Sequence, residues 1–317
     1  MKLQRIVDGI YRLETTVSGT AMPLALYLVE GDGWLLTDAG CRGMIDELVV
    51  PALAELSPGA RIGKAVVCHA HADHFGGGYE LLQQFPDCRI YVHRRDARWV
   101  QDPAWHLREG YDRLAPDYSC PDEVKSWVAG LLGPGVPVRR LETGDVVSPG
   151  AGRHLAVLST PGHSPGHIAL WEDDRRVLLA SDALLGVGQR IDGQVVAIPS
   201  YLDVDDYLNT VRAIRYLEPS WLLTAHYPVM RDEQVMAFCD ESEQFVELLG
   251  SAVWEQLRQH PACGVQELTD RVVPEVAPGV ESSVVAGFSV EAHLEWLEQR
   301  GLASWEIVQG RRCWSAL

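Results

Sequence analysis

The chain has 317 residues, 47% hydrophobic and 22% charged, which is enough to bury a large core without help from a metal or a disulfide. Its formal net charge of −17 sets up a field that repels a phosphate backbone, so nucleic acid is disfavoured as a partner. Seven cysteines lie scattered without a C-x-x-C pair, the N-terminal "MKLQRIVDGIYRLET" lacks the apolar centre of a signal peptide, and no stretch reaches the roughly 18 apolar residues of a membrane span. The expectation is a cytoplasmic protein with no membrane partner.

In chain order, strand-like runs occur between turn signals at 24–30, 33–38, 64–69, 89–93, 155–160, 167–171, 176–182 and 221–226, and several end in Asp or His. In α/β proteins, sites form where strand ends give way to loops, so this placement predicts a common catalytic edge. Helical patterns fall at 43–56, 77–85, 121–132 and 204–217. The segment 94–132 carries Trp99, Trp105, Tyr111, Tyr118 and Trp127 among several arginines. It reads as a helical insertion near a pocket, or equally as a packed aromatic layer. Further on, helical stretches at 240–259, 264–273 and 282–300 precede "WEIVQGRRCW", a hairpin turning at Gln309-Gly310. Three helices and a hairpin predict a winged-helix-like C-terminal domain over 239–317, after a catalytic domain over 1–238. Residues 240–317 hold thirteen acidic and five basic side chains. That balance favours packing, or pairing into a homodimer, over DNA binding.

The densest chemistry lies in "HAHADHFGGG", residues 69–78, which sets His69, His71, Asp73 and His74 within six positions. His69 and His71 leave a strand end with their rings toward one side, while Asp73 and His74 fall in the following turn. Imidazole and carboxylate are the usual ligands of zinc and related metals. The Gly76-Gly77-Gly78 run allows a tight bend or a close backbone approach. Similar settings recur: "STPGHSPGH" carries His163 and His167 just after a strand, "LLASD" ends at Asp182, "LLTAH" at His226 and "LLTDAG" contains Asp38.

The order Asp38, His69-x-His71-x-Asp73-His74, His163, Asp182, His226 resembles the five-motif signature of the metallo-β-lactamase superfamily, in its glyoxalase II-like hydrolase branch, over about residues 1–235. The resemblance implies a four-layer αββα sandwich with two metals at one edge. It implies that His69, His71 and His163 hold the first ion, that Asp73, His74 and His226 hold the second, and that Asp182 bridges them. Asp38 would lie behind the ligands and orient them, and His167 would be a supporting group. The ions would be zinc, with iron or manganese compatible with the same ligands. The compact β-lactamase-like protein 2 group is the most similar in pairing such a domain with a winged-helix-like tail.

Membership of this kind implies a dinuclear hydrolase in which a metal-bound hydroxide attacks a carboxylic ester, most simply an acyl thioester or a lactone, small or carrier-bound. Asp73 and Asp182 would be the catalytic carboxylates, with Asp73 orienting the hydroxide or taking its proton. Tyr201 and Tyr227 are candidate oxyanion donors, although packing is the simpler role for each. Arg94 and Arg95 are candidate contacts for an anionic carrier, with Arg98, Arg108 and Arg113 nearby. Cys68 alternates away from the metals and reads as core. His93, His106, His154, His260 and His293 read as packing or surface residues. Two other readings stay open: a compact ribonuclease of the same fold, and a mono-iron persulfide dioxygenase sharing the His-x-His-x-Asp-His pattern.

Overall fold

A computed structural model describes residues 2–317. The first sheet has seven strands, Lys2–Val7, Ile10–Thr16, Pro23–Val29, Trp34–Thr37, Ile62–Val67, Arg89–His93 and Arg139–Leu141, lying side by side in chain order. The first four pair antiparallel and the rest join in parallel. The second sheet runs Met230–Arg231, Trp221–Thr224, Val177–Ser181, Ile168–Glu172, Arg153–Ser159, Val146–Gly150. Within it only Val177–Ser181 and Trp221–Thr224 pair in parallel.

Side-chain alternation explains why these strands read as unbroken apolar runs. Along Pro23–Val29, Ala25, Tyr27 and Val29 enter a core shared with Val177, Leu179, Ile168 and Leu170 of the other sheet. Leu24, Leu26 and Leu28 point the opposite way, into a core with Ile45, Leu53, Leu81 and Val128. The second sheet sends Leu178 and Ala180 outward against Val204, Tyr207, Val211 and Ile214. At the centre of both sheets both faces are therefore covered, which requires central strands without a polar face. Helical segments Ile45–Val49, Val50–Leu56, Gly78–Gln84 and Asp122–Leu131 cover one side and Val204–Leu217 the other, giving the expected αββα order. Cys68 is buried in the layer between the sheets, as its alternation predicts.

The 94–132 segment is helical, with turns at Ala97–Gln101, Pro103–His106, Leu107–Tyr111 and Asp122–Leu131. The C-terminal part comprises helices Glu233–Gln259, Val265–Val276 and Val284–Gln299 and a small sheet ordered Cys263–Gly264, Arg311–Ala316, Ala303–Val308. Its hairpin turns at Gln309-Gly310, both left-handed at φ 51° and 81°. The first of these helices starts at Glu233 rather than 240, so the division placed at 238/239 falls inside it. One apolar core runs from Leu178 and Val211 through Phe245 to Leu294 and Trp314. Among the described residues, no helix is long and apolar enough to cross a membrane.

Candidate metal centre

Strand ends deliver the site. Trp34–Thr37 gives way to Asp38, Ile62–Val67 to His69, Val177–Ser181 to Asp182, and Trp221–Thr224 to His226. His163 comes from the loop joining Arg153–Ser159 to Ile168–Glu172. His71 precedes the single turn Ala72–Phe75, which turns Asp73 and His74 back toward His69. Asp38 and Ser181 both take left-handed backbone conformations, φ 58° and 45°. That conformation costs energy in non-glycine residues and is characteristic of functional turns.

The glycine run serves close approach rather than unusual dihedrals. A Cβ on Gly76 would lie 2.0 Å from the Leu131 carbonyl oxygen, and one on Gly77 would lie 2.4 Å from that of Ala39. The Gly77 N–H donates to the Gly40 carbonyl at 3.0 Å. The turn bearing Asp73 and His74 is thus pressed between the end of helix Asp122–Leu131 and the loop after strand Trp34–Thr37, and only glycine leaves room for it.

Three sets of donor atoms converge, each set within 4.8 Å of itself: His69, His71 and His163; Asp73, His74 and His226; His69, His74 and Asp182. Oδ2 of Asp182 sits at the centre, 3.5 Å from Nε2 of both His163 and His74 and 3.3 Å from Nε2 of His226. Oδ2 of Asp73 is 3.5 Å from His74 Nε2 and 3.3 Å from His226 Nε2. His71 presents Nδ1 to the cluster, 3.1 Å from Nε2 of His69.

The far side of each ring fixes which nitrogen faces inward. Nδ1–H of His163 donates to the Ser200 carbonyl and that of His226 to the Pro23 carbonyl, both at 2.6 Å. His74 donates from Nδ1 to Oδ2 of Asp38 at 3.1 Å. These bonds leave Nε2 as the free lone pair on three imidazoles, the orientation that metal ligation needs. Asp38 itself accepts from the Cys68 N–H at 2.8 Å and from the Ser181 hydroxyl at 2.9 Å. His167 stands behind the cluster, stacked on His69, with its Nδ1 paired to the Thr160 hydroxyl at 2.8 Å and its Nε2 accepting the Asp182 N–H at 3.2 Å.

Electrostatics and unmet bonding both point to cations. His74 Nε2, His163 Nε2 and Asp182 Oδ1 are buried with no hydrogen-bond partner, a costly state unless an ion completes them. Burial alone would discharge His226, but the Asp182 and Asp73 carboxylates override it and raise its pKa to about 10. His74 is raised by the same carboxylates against the same penalty. His69 and His71 are lowered by burial and by neighbouring imidazoles. Burial pushes Asp73 and Asp182 up, yet His74 and His226 hold both well below the usual carboxylate range. The buried carboxylates thus favour positive charge beside them, which two divalent ions on the same donor set would supply.

A cavity of about 270 Å³ opens onto this cluster, bounded on the metal side by His71, Asp73, His163 and His226. Its other walls include Trp99, Tyr111, Leu185, Ile198, Val285 and Phe288, and no lysine or arginine lines it. His226 and Tyr227 separate it from a larger groove of about 800 Å³ that includes Arg12 and Arg190.

Several expected contacts lie elsewhere. Tyr201 is fully buried and its hydroxyl pairs with His293 Nε2 at 2.8 Å, so it faces the C-terminal helix rather than the cavity. Tyr227 lines the cavity, but its hydroxyl donates to the Leu185 carbonyl at 2.6 Å and is not free to serve an oxyanion. Arg94 pairs with Glu142 at 3.5 Å, and Arg95 reaches the Pro165 carbonyl at 3.4 Å; neither lines the cavity. Arg98 and Arg108 flank the Trp105 ring at 3.2 and 4.6 Å, a cation–π arrangement that uses them internally.

One supporting residue escaped the sequence reading. Asp96 is buried and accepts from the Ala70 N–H at 3.1 Å and from the Ser164 hydroxyl at 2.6 Å, bracing the loops of His69 and His163 together. Its signal was available, since it follows the Arg89–His93 strand just as the other site residues follow theirs.

Residues 20–226 match the model of the metallo-beta-lactamase superfamily. The chain belongs to that superfamily. Among its relatives, the probable metallo-hydrolase YflN of Bacillus subtilis is 29% identical over 213 residues, 62% of this chain and 76% of that protein. The acyl-coenzyme A thioesterase MBLAC2 of Gallus gallus is 28% identical over 226 residues, 63% of this chain and 70% of that protein. In fold, the metallo-beta-lactamase family protein TTHA1429 of Thermus thermophilus superposes with a TM-score of 0.79 at 21% identity, covering 99% of this chain and all of that one. The shared fold therefore includes the C-terminal helices and hairpin. Family, donor set and relatives together make this superfamily member a metallo-hydrolase.

Proposed function

We propose that the protein hydrolyses acyl thioesters, with lactones as the nearest related substrates. The observation that carries this reading is the cavity: the wall facing the donor cluster is apolar and aromatic and holds no cation to meet a phosphate. A single-stranded RNA backbone would find no positive charge there, whereas an acyl chain finds a small apolar slot. The Gallus gallus thioesterase supports the same substrate class.

His69, His71 and His163 would hold one ion, Asp73, His74 and His226 the other, with Asp182 between them. Zinc suits this donor set, as do iron and manganese; such ions, when bound, would supply Lewis-acid polarisation of a carbonyl and acidify water. The chain's own groups do the rest. The apolar wall excludes bulk water and aligns the acyl chain with its carbonyl toward the histidines. Asp73, which lines the cavity beside the histidines, would orient the attacking water or take its proton. The groove beyond His226 and Tyr227 is polar, with Arg12 paired to Glu14 at 3.5 Å and Arg190 to Glu241 at 3.8 Å, and suits the amide arm of a carrier such as coenzyme A or phosphopantetheine more than its phosphates. Three helices and a three-stranded sheet support a winged-helix-like reading of the C-terminal part, in a packing role.

The test is an assay of purified, metal-loaded protein on acyl thioesters, lactones and single-stranded RNA. Thioester turnover is expected; cleavage of RNA alone would replace this reading with the nuclease, and oxygen uptake with a persulfide would replace it with the dioxygenase.

A further inference from the structure

The helix Val284–Gln299 is unusual for an appendage. Eleven of its residues are buried, spread round its circumference rather than along one stripe, and a helix covered on all sides is built into a core rather than laid upon it. Its first turns reach the metal cavity. Ser283, whose hydroxyl caps the helix by accepting the Ala286 N–H at 3.1 Å, lines the cavity together with Val285 and Phe288. The insertion that supplies Trp99 and Tyr111 to the same cavity is fastened to this helix. A Cβ on Gly287 would lie 2.9 Å from the Tyr118 ring, and Asp117 accepts from the Arg312 backbone at 2.8 Å and side chain at 2.7 Å. Arg312 in turn pairs with Glu291 on the helix.

The same helix also grips the strap that orients a metal-facing histidine. Ser289 is fully buried; its hydroxyl accepts the Tyr201 N–H at 2.9 Å and donates to the Pro199 carbonyl at 2.8 Å. One turn later His293 pairs with the Tyr201 hydroxyl at 2.8 Å. Between those two anchored residues lies Ser200, whose carbonyl receives the Nδ1–H of His163.

We infer that Val284–Gln299 is a working part of the active site: Val285 and Phe288 form the wall that measures the acyl chain, and Ser289 is a positioning residue for His163. The wall rests on the proposed thioester substrate; the positioning role does not. Phe288 occupies space that a longer chain would need, and Val285 borders space that a larger side chain would fill.

The experiment compares metal-loaded full-length protein and its variants on acetyl-, butyryl-, octanoyl- and dodecanoyl-coenzyme A. Phe288→Ala should raise kcat/KM for dodecanoyl relative to butyryl by about tenfold or more, and Val285→Phe should shift the preference toward the short chains by a similar factor. Ser289→Ala is read by chelator competition for zinc, not by turnover. A loss of affinity of roughly tenfold is expected, recovered by Ser289→Thr, which keeps the hydroxyl. Unchanged chain-length profiles in an active enzyme would overturn the wall alone, and unchanged zinc affinity in Ser289→Ala would overturn the positioning role. If wild-type protein turned over no thioester of any length, the proposed substrate would fall and the acyl wall with it.

Discussion

Asp38 offers the sharpest separation of folding from metal orientation. It is buried, and its carboxylate accepts from the Cys68 N–H, from Nδ1 of His74 and from the Ser181 hydroxyl, at 2.8, 3.1 and 2.9 Å. Replacement by alanine strands three donors in the core. At about 1–3 kcal/mol for each buried group left unpaired, partly relieved by relaxation, the loss should be about 3–5 kcal/mol in urea unfolding. Asparagine keeps the shape and one acceptor oxygen, so Asp38→Asn should remain much nearer wild type in stability. The amide has one acceptor, however: with its oxygen kept at the Oδ1 position by the Cys68 N–H, its NH2 replaces the Oδ2 that now accepts from both Ser181 and His74, and the His74 tautomer that leaves Nε2 free is no longer enforced. Zinc affinity measured by chelator competition should fall about 10–100-fold. The reasoning is refuted if Asp38→Asn binds zinc like wild type, or if Asp38→Ala unfolds within about 1 kcal/mol of it.

Two further outcomes follow from the same structure. His106 is buried among Phe75, Trp99 and Tyr111 with neither ring nitrogen bonded, and burial depresses its pKa from 6.5 to about 4. The unfolded chain takes up this proton first as pH falls, so stability is full above 6.5 and declines toward pH 4, by roughly 3 kcal/mol for this group. His106→Phe should remove that part of the slope and be neutral or stabilising at pH 7; a variant whose unfolding free energy tracks wild type across the whole range would contradict this. Gly76→Ala places a methyl 2.0 Å from the Leu131 carbonyl oxygen. Since both partners are backbone, it should destabilise by about 3 kcal/mol or more and displace Asp73 and His74. Normal Tm and zinc content in that variant would show the close approach to be unnecessary.

The site was legible in the sequence to the extent that local pattern encodes it. Asp182 and His226 each follow a strand buried on both faces, so apolar runs ending in Asp or His marked them directly. The turn at 69–74 carries four metal-ligand side chains within one short segment. What failed to show was long-range contact. Ser289 meets Tyr201 across 88 positions, and nothing in either neighbourhood announces the pairing. Tyr201 looked available because aromatic hydroxyls near a motif are plausible donors; the His293 partner that occupies it sits on a helix whose docking no periodicity specifies. From sequence the arginines of the insertion are candidate carrier contacts, with solvated charge the simpler role; in the fold Trp105 takes Arg98 and Arg108. The first two strands were missed for a different reason. Lys2–Val7 is a half-exposed edge with polar residues on both faces, and so lacks a clean alternation.

The most direct test is elemental analysis of the purified protein joined to zinc titration of the metal-free form. Two divalent ions per chain are expected, with one site lost in His226→Ala and both weakened in Asp182→Asn. A single tightly bound iron in wild type, indifferent to both substitutions, would contradict the dinuclear hydrolase.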